Sequence, residues 1–384
     1  MRIGIFTEAY TPIVSGVVTS TKLLLAELRR RGHDARLYTP RYPGWIDDEP
    51  GVARFPSATF PVRSWIPVTL PYSRRLLREI KEAGLEVYHT QQPFIMGRLA
   101  RFLARRHGAP LVCTVHTQYE HYVHYVTPTA HRAARAVTRA LIRSFCNTCD
   151  VLTTPAKGME QLLRSYGVTR PIHVIPNGID LEPYRSVDPA VVRREFSVPD
   201  DAVLFLFLGR LAKEKNLSAF IGAVQIVISR GHNVYAMLVG DGPERAALED
   251  AAHRLRVAHR VVFTGRVPHA ETPAYHAAAD VFVMPSVTEV NPYGVIEALA
   301  AGCPVVATDS FGMREILTHG EDAFLVPPDA ESLSEAMALL ASDRRLREGM
   351  SAFARAKAEQ FAIPRCADRF LDVYQAAVNE RKGY

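Results

Sequence analysis

At 384 residues, 48 % of them apolar, the chain is too long for one ordinary core and has the material for two. Its net charge of +6 conceals an asymmetry: residues 1–180 carry 24 basic and 13 acidic side chains, whereas the remaining 204 carry 22 and 27. The opening residues have no signal-peptide pattern and no apolar run approaches a membrane span, so a cytoplasmic protein is expected, its basic half facing a lipid surface, a nucleic acid or a phosphorylated substrate.

In chain order, Ile3 to Phe6 reads as a strand, Ser20 to Arg31 as a helix stopped by Gly32, and Ala35 to Tyr38 as the next strand. Residues 41–72 are irregular and rich in Pro and aromatics. Helices at Arg74 to Ala83 and Gly97 to His107 flank a short strand at Val87 to His89. Leu111 to His116 is a strand that runs into a loop of His, Tyr and Glu. A long basic helix follows, then a strand at Val151 to Thr153, a helix at Lys157 to Ser165 and a strand at Ile172 to Pro176. The Asn177-Gly178 turn and the weakly periodic segment Ile179 to Asp201 mark a junction.

The pattern then restarts with Val203 to Leu208, continuously apolar as the interior of a parallel sheet requires. Further strands are expected at Tyr235 to Val239, Val261 to Phe263, Val281 to Met284, Val305 to Ala307, Arg314 to Ile316 and Phe324 to Val326. The intervening helices are Leu217 to Ser229, Pro243 to Leu255, Thr272 to Ala278 and Tyr293 to Ala301. Ala330 to Leu340, Asp343 to Gln360 and Cys366 to Asn379 close the chain as helices. Strands alternating with helices imply an α/β fold of two doubly wound parallel sheets, with ligands beyond the carboxyl ends of the strands. The five cysteines form no framework. Cys146 and Cys149 make a C-x-x-C, but it closes a basic helical segment and no second pair supplies metal ligands, so all five read as ordinary thiols.

Several strand-end loops carry candidate chemistry. Arg210 and Lys215, between a buried strand and a helix, suit a diphosphate, and equally a solvated basic turn. Gly240-Asp241-Gly242-Pro243 allows close backbone approach, with Pro243 in the first turn of its helix. It is neither a dinucleotide fingerprint nor a Walker loop, which removes support for nicotinamide or ATP-hydrolysing readings. In Glu289 to Glu297 the helix start offers N–H groups to a phosphate, while the two carboxylates suit hydroxyls: a sugar for Glu289, a ribose for Glu297. The bland alternative, two solvated helix-start carboxylates, is weak for Glu297 inside its apolar run. In the first half Gly16 stands at a turn into a helix, and Glu8 and His116 end strands. Each of the latter two is a candidate sugar or acceptor contact, or a cap. His116, His121 and His124 with Glu120 invite a metal reading, but the H-E-x-x-H order is absent and no metal site is expected.

Arg132, Arg135, Arg139 and Arg143, three and four residues apart, share one helical face, with Ala130, Ala134, Val137, Leu141 and Phe145 mostly opposite. With no carboxylate beside it the stripe suits an anionic surface, against the alternative of an ordinary solvated face. Arg74, Arg75, Arg78 and Lys81 form a second cluster, preceded by Trp45, Phe60, Trp65, Ile66 and Tyr72. Basic residues with aromatics suit interfacial membrane contact.

Together these motifs resemble the retaining glycosyltransferase family 4, of the GT-B fold. The pieces are Gly16-Val17, His116-Thr117, Asn177-Gly178-Ile179-Asp180, Gly209-Arg210, Lys215-Asn216, Val239 to Pro243, Phe263-Thr264-Gly265, and Glu289 with Glu297 and the run to Pro304. The resemblance implies two Rossmann-like domains facing a cleft: residues 1–178 for the acceptor, 179–360 for the nucleotide sugar, and a C-terminal helix, 361–384, packing back on the first. It also implies roles. Gly16 lets its loop approach the donor phosphate, and His116 bonds to the transferred sugar. Arg210 and Lys215 neutralise the diphosphate, Glu289 holds sugar hydroxyls and Glu297 the ribose. Gly240, Gly265, Arg266, Val267 and Asn291-Pro292-Tyr293-Gly294 line the donor. No metal and no cofactor are needed, and the anomeric configuration is retained without an enzymatic nucleophile. Two departures stand out: Ser15-Gly16 where many members have two glycines, and Asn291 to Gly294 where many have an earlier glycine.

The stretches His116 to Tyr125 and Ile5 to Tyr10, with Pro12 and Ser15 to Val18, are similar to those of bacterial diacylglycerol glucosyltransferases. That implies UDP-glucose as donor, a lipid acceptor, and an enzyme bound peripherally to the inner face of the plasma membrane. Its acceptor or membrane contacts would run through Glu8, Trp65, Tyr119 and the arginine stripe. Alternatives are mannosyl transfer from GDP-mannose to a lipid, synthesis of a soluble saccharide, or a nucleotide-sugar binding protein without catalysis. No nucleic-acid recognition motif is present.

Overall fold

The computed structural model describes residues 1–45, 49–58, 67–119 and 131–383, with the side chains of His131 and Arg132 left aside. The chain divides into two compact units, Met1–Gly178 with Ile363–Tyr384, and Ile179–Ala362.

In the first unit the elements run β1 (Arg2–Phe6), α1 (Gly16–Arg30), β2 (Asp34–Pro40), β3 (Val52–Phe55), β4 (Ser57–Ala58), β5 (Val68–Thr69), α2 (Arg74–Ala83), β6 (Val87–Thr90), α3 (Ile95–His107), β7 (Leu111–Thr114), α4 (His131–Cys146), β8 (Val151–Thr154), α5 (Lys157–Ser165) and β9 (Ile172–Val174). Among the described residues the main sheet has the order β3-β2-β1-β6-β7-β8-β9, parallel throughout. The segment 41–72, irregular by sequence, supplies the edge strand β3 and the small antiparallel pair β4–β5. These strands are too short for alternation to betray them.

The second unit runs α6 (Ala190–Glu195), β10 (Val203–Leu208), α7 (Leu217–Ser229), β11 (Val234–Val239), α8 (Arg245–Arg254), β12 (Val261–Gly265), α9 (Thr272–Ala278), β13 (Val281–Met284), α10 (Tyr293–Ala301), β14 (Val305–Thr308), α11 (Phe311–Ile316), β15 (Ala323–Val326), α12 (Ala330–Ser342) and α13 (Arg344–Ala358). Its sheet order is β12-β11-β10-β13-β14-β15, again parallel. Two sequence expectations need correction. Arg314 to Ile316 is helix, not strand: it completes α11, whose Gly312 lies against the loop at Glu289, where a Cβ would come within 2.2 Å of the Glu289 carbonyl oxygen. Pro243 precedes its helix rather than opening it, because α8 starts at Arg245 behind Glu244.

Both sheets reverse winding beside their first strand, between β1 and β6 in one unit and between β10 and β13 in the other. Strands diverge there, so loops at their carboxyl ends leave a crevice for a ligand. The last helix, α14 (Ile363–Lys382), belongs to the first unit. Phe370, Val373, Tyr374, Ala377 and Val378 form its apolar stripe, buried with Leu24, Leu25 and Leu28 of α1 against the sheet. Each large side chain so buried contributes on the order of 1.5–3 kcal/mol. Arg31 fixes the start of α14 through Asp368 and the Pro364 carbonyl, and Arg381 pairs with Asp150 at 2.9 Å near its end. Among the described residues no helix is long and apolar enough to cross a membrane.

Candidate active site

In the second unit the reversal point sets Lys215, from the short turn after β10, against Glu289, from the loop after β13, and the Lys215 ammonium donates directly to the Glu289 carboxylate. The two side chains are only 20 % and 14 % exposed, so the pair is largely withdrawn from water. Ser286 ties the loops from behind, its hydroxyl donating to the Glu214 carbonyl at 3.0 Å. Arg210 is 53 % exposed and pairs with Glu214 four residues on.

The glycine loops lock together beside this pair. Gly209 N–H donates to the Val239 carbonyl and Gly240 N–H to the Gly265 carbonyl, both at 2.9 Å. At Gly240, φ is +131° and a Cβ would stand 2.0 Å from the Gly209 carbonyl oxygen, so no other residue fits there. Arg266 is exposed, 4.0 Å from Asp241, and Val267 packs on the core.

Glu297 is 3 % exposed, which removes the reading of a solvated helix-start carboxylate. It sits one turn into α10, behind Asn291, which is buried, Pro292, which caps the helix, and Tyr293 and Gly294, which begin it. His276 of α9 holds Oε2 at 3.3 Å, and the exposed His269 lies 3.8 Å from Oε1. Burial, with Glu297 beside it, pushes the Tyr184 hydroxyl far above its ordinary range. Three side chains from three parts of the chain therefore surround the Glu297 carboxylate. His276 and Tyr184 were missed by sequence reasoning, since nothing local ties them to Glu297.

In the first unit Gly16 opens α1 behind Ser15, whose hydroxyl accepts from the Val18 N–H at 3.4 Å. Glu8 follows β1 but turns inward. It accepts from the Met96 N–H at 2.5 Å, at the start of α3, and from the Thr69 hydroxyl at 3.3 Å. These bonds cap the start of α3, and burial raises the Glu8 pKa despite them. Gln92 holds the same corner by accepting from the Glu8 N–H at 2.8 Å. His116 follows β7 half-buried, Nε2 2.7 Å from Gln91 Oε1, and desolvation pulls its pKa down to about 4. It is neutral at physiological pH. Tyr119 packs edge-on to Phe94 at 5.1 Å. Trp65 and residues 120–130, including His121 and His124, lie outside the described residues. Among those described, no group of three or more His, Cys, Asp or Glu stands where it could hold a metal ion.

Arg135, Arg139 and Arg143 line an open groove of about 500 Å³ with Ser165 and Tyr166, and the Arg139 guanidinium lies 5.5 Å from the Tyr166 ring centre. Arg132 is on the same helix. The face expected to pack behind them is only partly buried. Ile142, Phe145 and Cys146 are in the core, whereas Val137 and Leu141 are 57 % and 53 % exposed. The physical reason is position: only the last turn of α4 reaches the sheet core. Arg74, Arg75, Arg78 and Lys81 of α2 are exposed, with Leu70 and Tyr72 exposed just before them. All five cysteines are buried and free.

Two parallel sheets of this winding order carried on one chain form the GT-B fold of sugar-transferring enzymes. The chain superposes on the sucrose-phosphate synthase of Thermosynechococcus elongatus with a TM-score of 0.80 at 21 % identity, covering 98 % of this chain and 99 % of that one. It superposes on HepE of Anabaena, solved in complex with UDP, with a TM-score of 0.77 at 18 % identity, covering 98 % and 100 %. Residues 14–183 match the family described as Glycosyltransferase Family 4, and residues 190–357 the family described as Glycosyl transferases group 1. The alpha-monoglucosyldiacylglycerol synthase of Streptococcus pneumoniae is 32 % identical over 80 % of this chain and 71 % of its own length. The GDP-mannose-dependent alpha-mannosyltransferase of Mycobacterium tuberculosis is 32 % identical over 90 % and 89 %. The chain belongs to glycosyltransferase family 4, whose members move a sugar from a nucleoside-diphosphate donor.

Proposed function

We propose that the enzyme transfers a hexose, glucose in first place, from a UDP-sugar to a membrane lipid such as 1,2-diacylglycerol, with retention of anomeric configuration. The observation that carries the lipid acceptor is α4, where exposed Arg135, Arg139 and Arg143 alternate with exposed Val137 and Leu141. A helix that exposes cationic side chains on one side and apolar ones on the other can set the first against anionic headgroups and bury the second in the interface, and so gains from an anionic bilayer. The kinship to monoglucosyldiacylglycerol synthases of Streptococcus pneumoniae and Acholeplasma laidlawii supports the same acceptor.

In this reading Lys215 has two successive partners. Before donor binding it neutralises Glu289. The donor diphosphate, carrying more charge, then draws the ammonium toward the leaving group, and the released Glu289 oxygens accept from sugar hydroxyls. Arg210 supplies the second cation. Glu297, steadied by His276, accepts from the ribose hydroxyls, and the α10 start, with residues 291–294, supplies N–H groups to phosphate. Gly16 gives its loop room beside the donor phosphate, and Gly240, Gly265, Arg266 and Val267 line the nucleotide. His116, neutral, meets the transferred sugar. The acceptor attacks from the face the diphosphate leaves, so no protein nucleophile is required.

A second reading, mannosyl transfer from GDP-mannose, draws on the mycobacterial relative. One assay separates them: release of nucleoside diphosphate from UDP-glucose and GDP-mannose, each against diacylglycerol, phosphatidylinositol and glucose. Turnover only with UDP-glucose and diacylglycerol is the expected result. Turnover only with GDP-mannose transfers the donor assignment, and turnover with soluble glucose alone removes the lipid acceptor.

A further inference from the structure

Behind His116 stands a chain of buried polar side chains that no donor contact explains. His116 Nε2 lies 2.7 Å from Gln91 Oε1. Gln91, just past β6, is 2 % exposed, and its amide nitrogen lies 3.2 Å and 3.4 Å from the two ring nitrogens of His89. An atom nearly equidistant from both nitrogens cannot lie in the ring plane without striking the carbon between them, so it sits over the ring face. An N–H pointing at an imidazole face is weakly attractive, and an amide oxygen there would be repelled. This fixes which end of the amide faces which histidine.

His89 is itself oriented on both sides. Tyr374 Oη lies 2.7 Å from its Nδ1, and its Nε2 lies 2.6 Å from Thr114 Oγ1, which is 2.5 Å from Thr153 Oγ1. The phenol is the stronger acid, so Tyr374 donates to Nδ1 and the His89 proton stays on Nε2, donating to Thr114. Phe370, one turn before Tyr374, packs on the same ring at 5.6 Å. Both come from α14, so the last helix of the chain positions a side chain at the reversal point of the sheet.

We propose that Gln91 is a positioning residue for His116: braced by His89 and Tyr374, it accepts the Nε2 proton and leaves His116 Nδ1 as a hydrogen-bond acceptor for a sugar hydroxyl. The inference rests on the reading of His116 as the group that meets the transferred sugar. An amide oxygen only accepts, so the tautomer follows from the geometry. A histidine held this way accepts a hydrogen bond from the sugar at Nδ1 and donates none to it, which selects a substrate hydroxyl oriented as donor.

The test is histidine-labelled nuclear magnetic resonance of the full chain, with His116→Ala assigning the signal. Wild type is expected in the neutral Nε2–H form; a dominant Nδ1–H form overturns the proposal. In Gln91→Glu, a carboxylate at the same place favours the imidazolium, and the His116 midpoint is expected to rise by about one to two pH units. If the buried carboxylate unfolds the protein, Gln91→Met removes the acceptor at similar volume and is expected to mix the two tautomers. An unchanged His116 signal in the folded variant overturns the proposal. Tyr374→Phe is expected to lower kcat by roughly three- to tenfold with donor KM within about twofold. Wild-type turnover in His116→Ala would sink the role of His116. Loss of turnover there, with kcat unmoved in Tyr374→Phe and Gln91→Met, would sink the positioning role alone.

Discussion

Replacing Lys215 with alanine separates what this residue does for the fold from what it does for the reaction. In the resting protein its ammonium meets Glu289, with both groups mostly out of water. Removing it leaves a carboxylate with residual access to solvent and a loop still tied by Ser286, so the stability cost is about 1–2 kcal/mol rather than the larger figure for a fully buried charge. For a unit of this size that is a fall in Tm of roughly 2–8 °C. With the diphosphate contact proposed for Lys215, the loss in the transition state is larger. A cation aimed at the departing diphosphate contributes about 3–4 kcal/mol, so kcat is expected to fall by roughly 10²–10³-fold. The assay is release of nucleoside diphosphate alongside thermal melting, for Lys215→Ala, Glu289→Gln and the double variant. Neutralising Glu289 removes the unpaired charge, so the double variant is expected to melt close to wild type while its turnover stays low. Near-normal turnover in Lys215→Ala, or recovered turnover in the double variant, would refute the reasoning.

Four further outcomes follow from particular geometry. Changing Arg135, Arg139 and Arg143 together to Gln removes about 1 kcal/mol per residue of attraction to an anionic bilayer. Co-sedimentation with anionic vesicles at low salt should then weaken on the order of 10²-fold, and equal binding by wild type and variant would remove α4 from the membrane contact. Gly240→Ala drives a methyl group into the Gly209 carbonyl and strains φ, so urea denaturation should report a loss of at least about 3 kcal/mol or no folded second unit. The five buried thiols should resist a thiol reagent in the native protein and react once it unfolds; fast native labelling of any one would contradict its burial. His89 has its pKa lowered to about 3 by burial, so the unfolded chain binds its proton first. Stability from this group is present above pH about 6.5 and falls as pH drops toward 3, by about 2 kcal/mol between pH 6.5 and 5. His89→Gln should flatten that part of the urea-midpoint profile.

Much of this protein was legible in its sequence because the signals were local. Val203 to Leu208 is continuously apolar because a central parallel strand is covered on both faces, and that pattern needs no knowledge of its neighbours. The run from Glu289 to Pro304 is one loop and one helix inside the stretch that matches Glycosyl transferases group 1, so the family could be read there. Length and charge asymmetry gave two domains of different character. Tertiary structure decided what depends on strand order. Lys215 and Glu289 are 74 residues apart and meet only because β10 and β13 are neighbours at the reversal of the sheet. Glu8 turned out to cap α3 because the loop after β1 passes its first N–H groups. Val137 and Leu141 sit on a helix with amphipathic spacing, yet stay exposed because spacing names a face and not what lies beneath it. The brace behind His116 is the extreme case. Tyr374 reaches His89 across 285 residues of sequence, and only the return of the last helix to the first sheet brings those two side chains together.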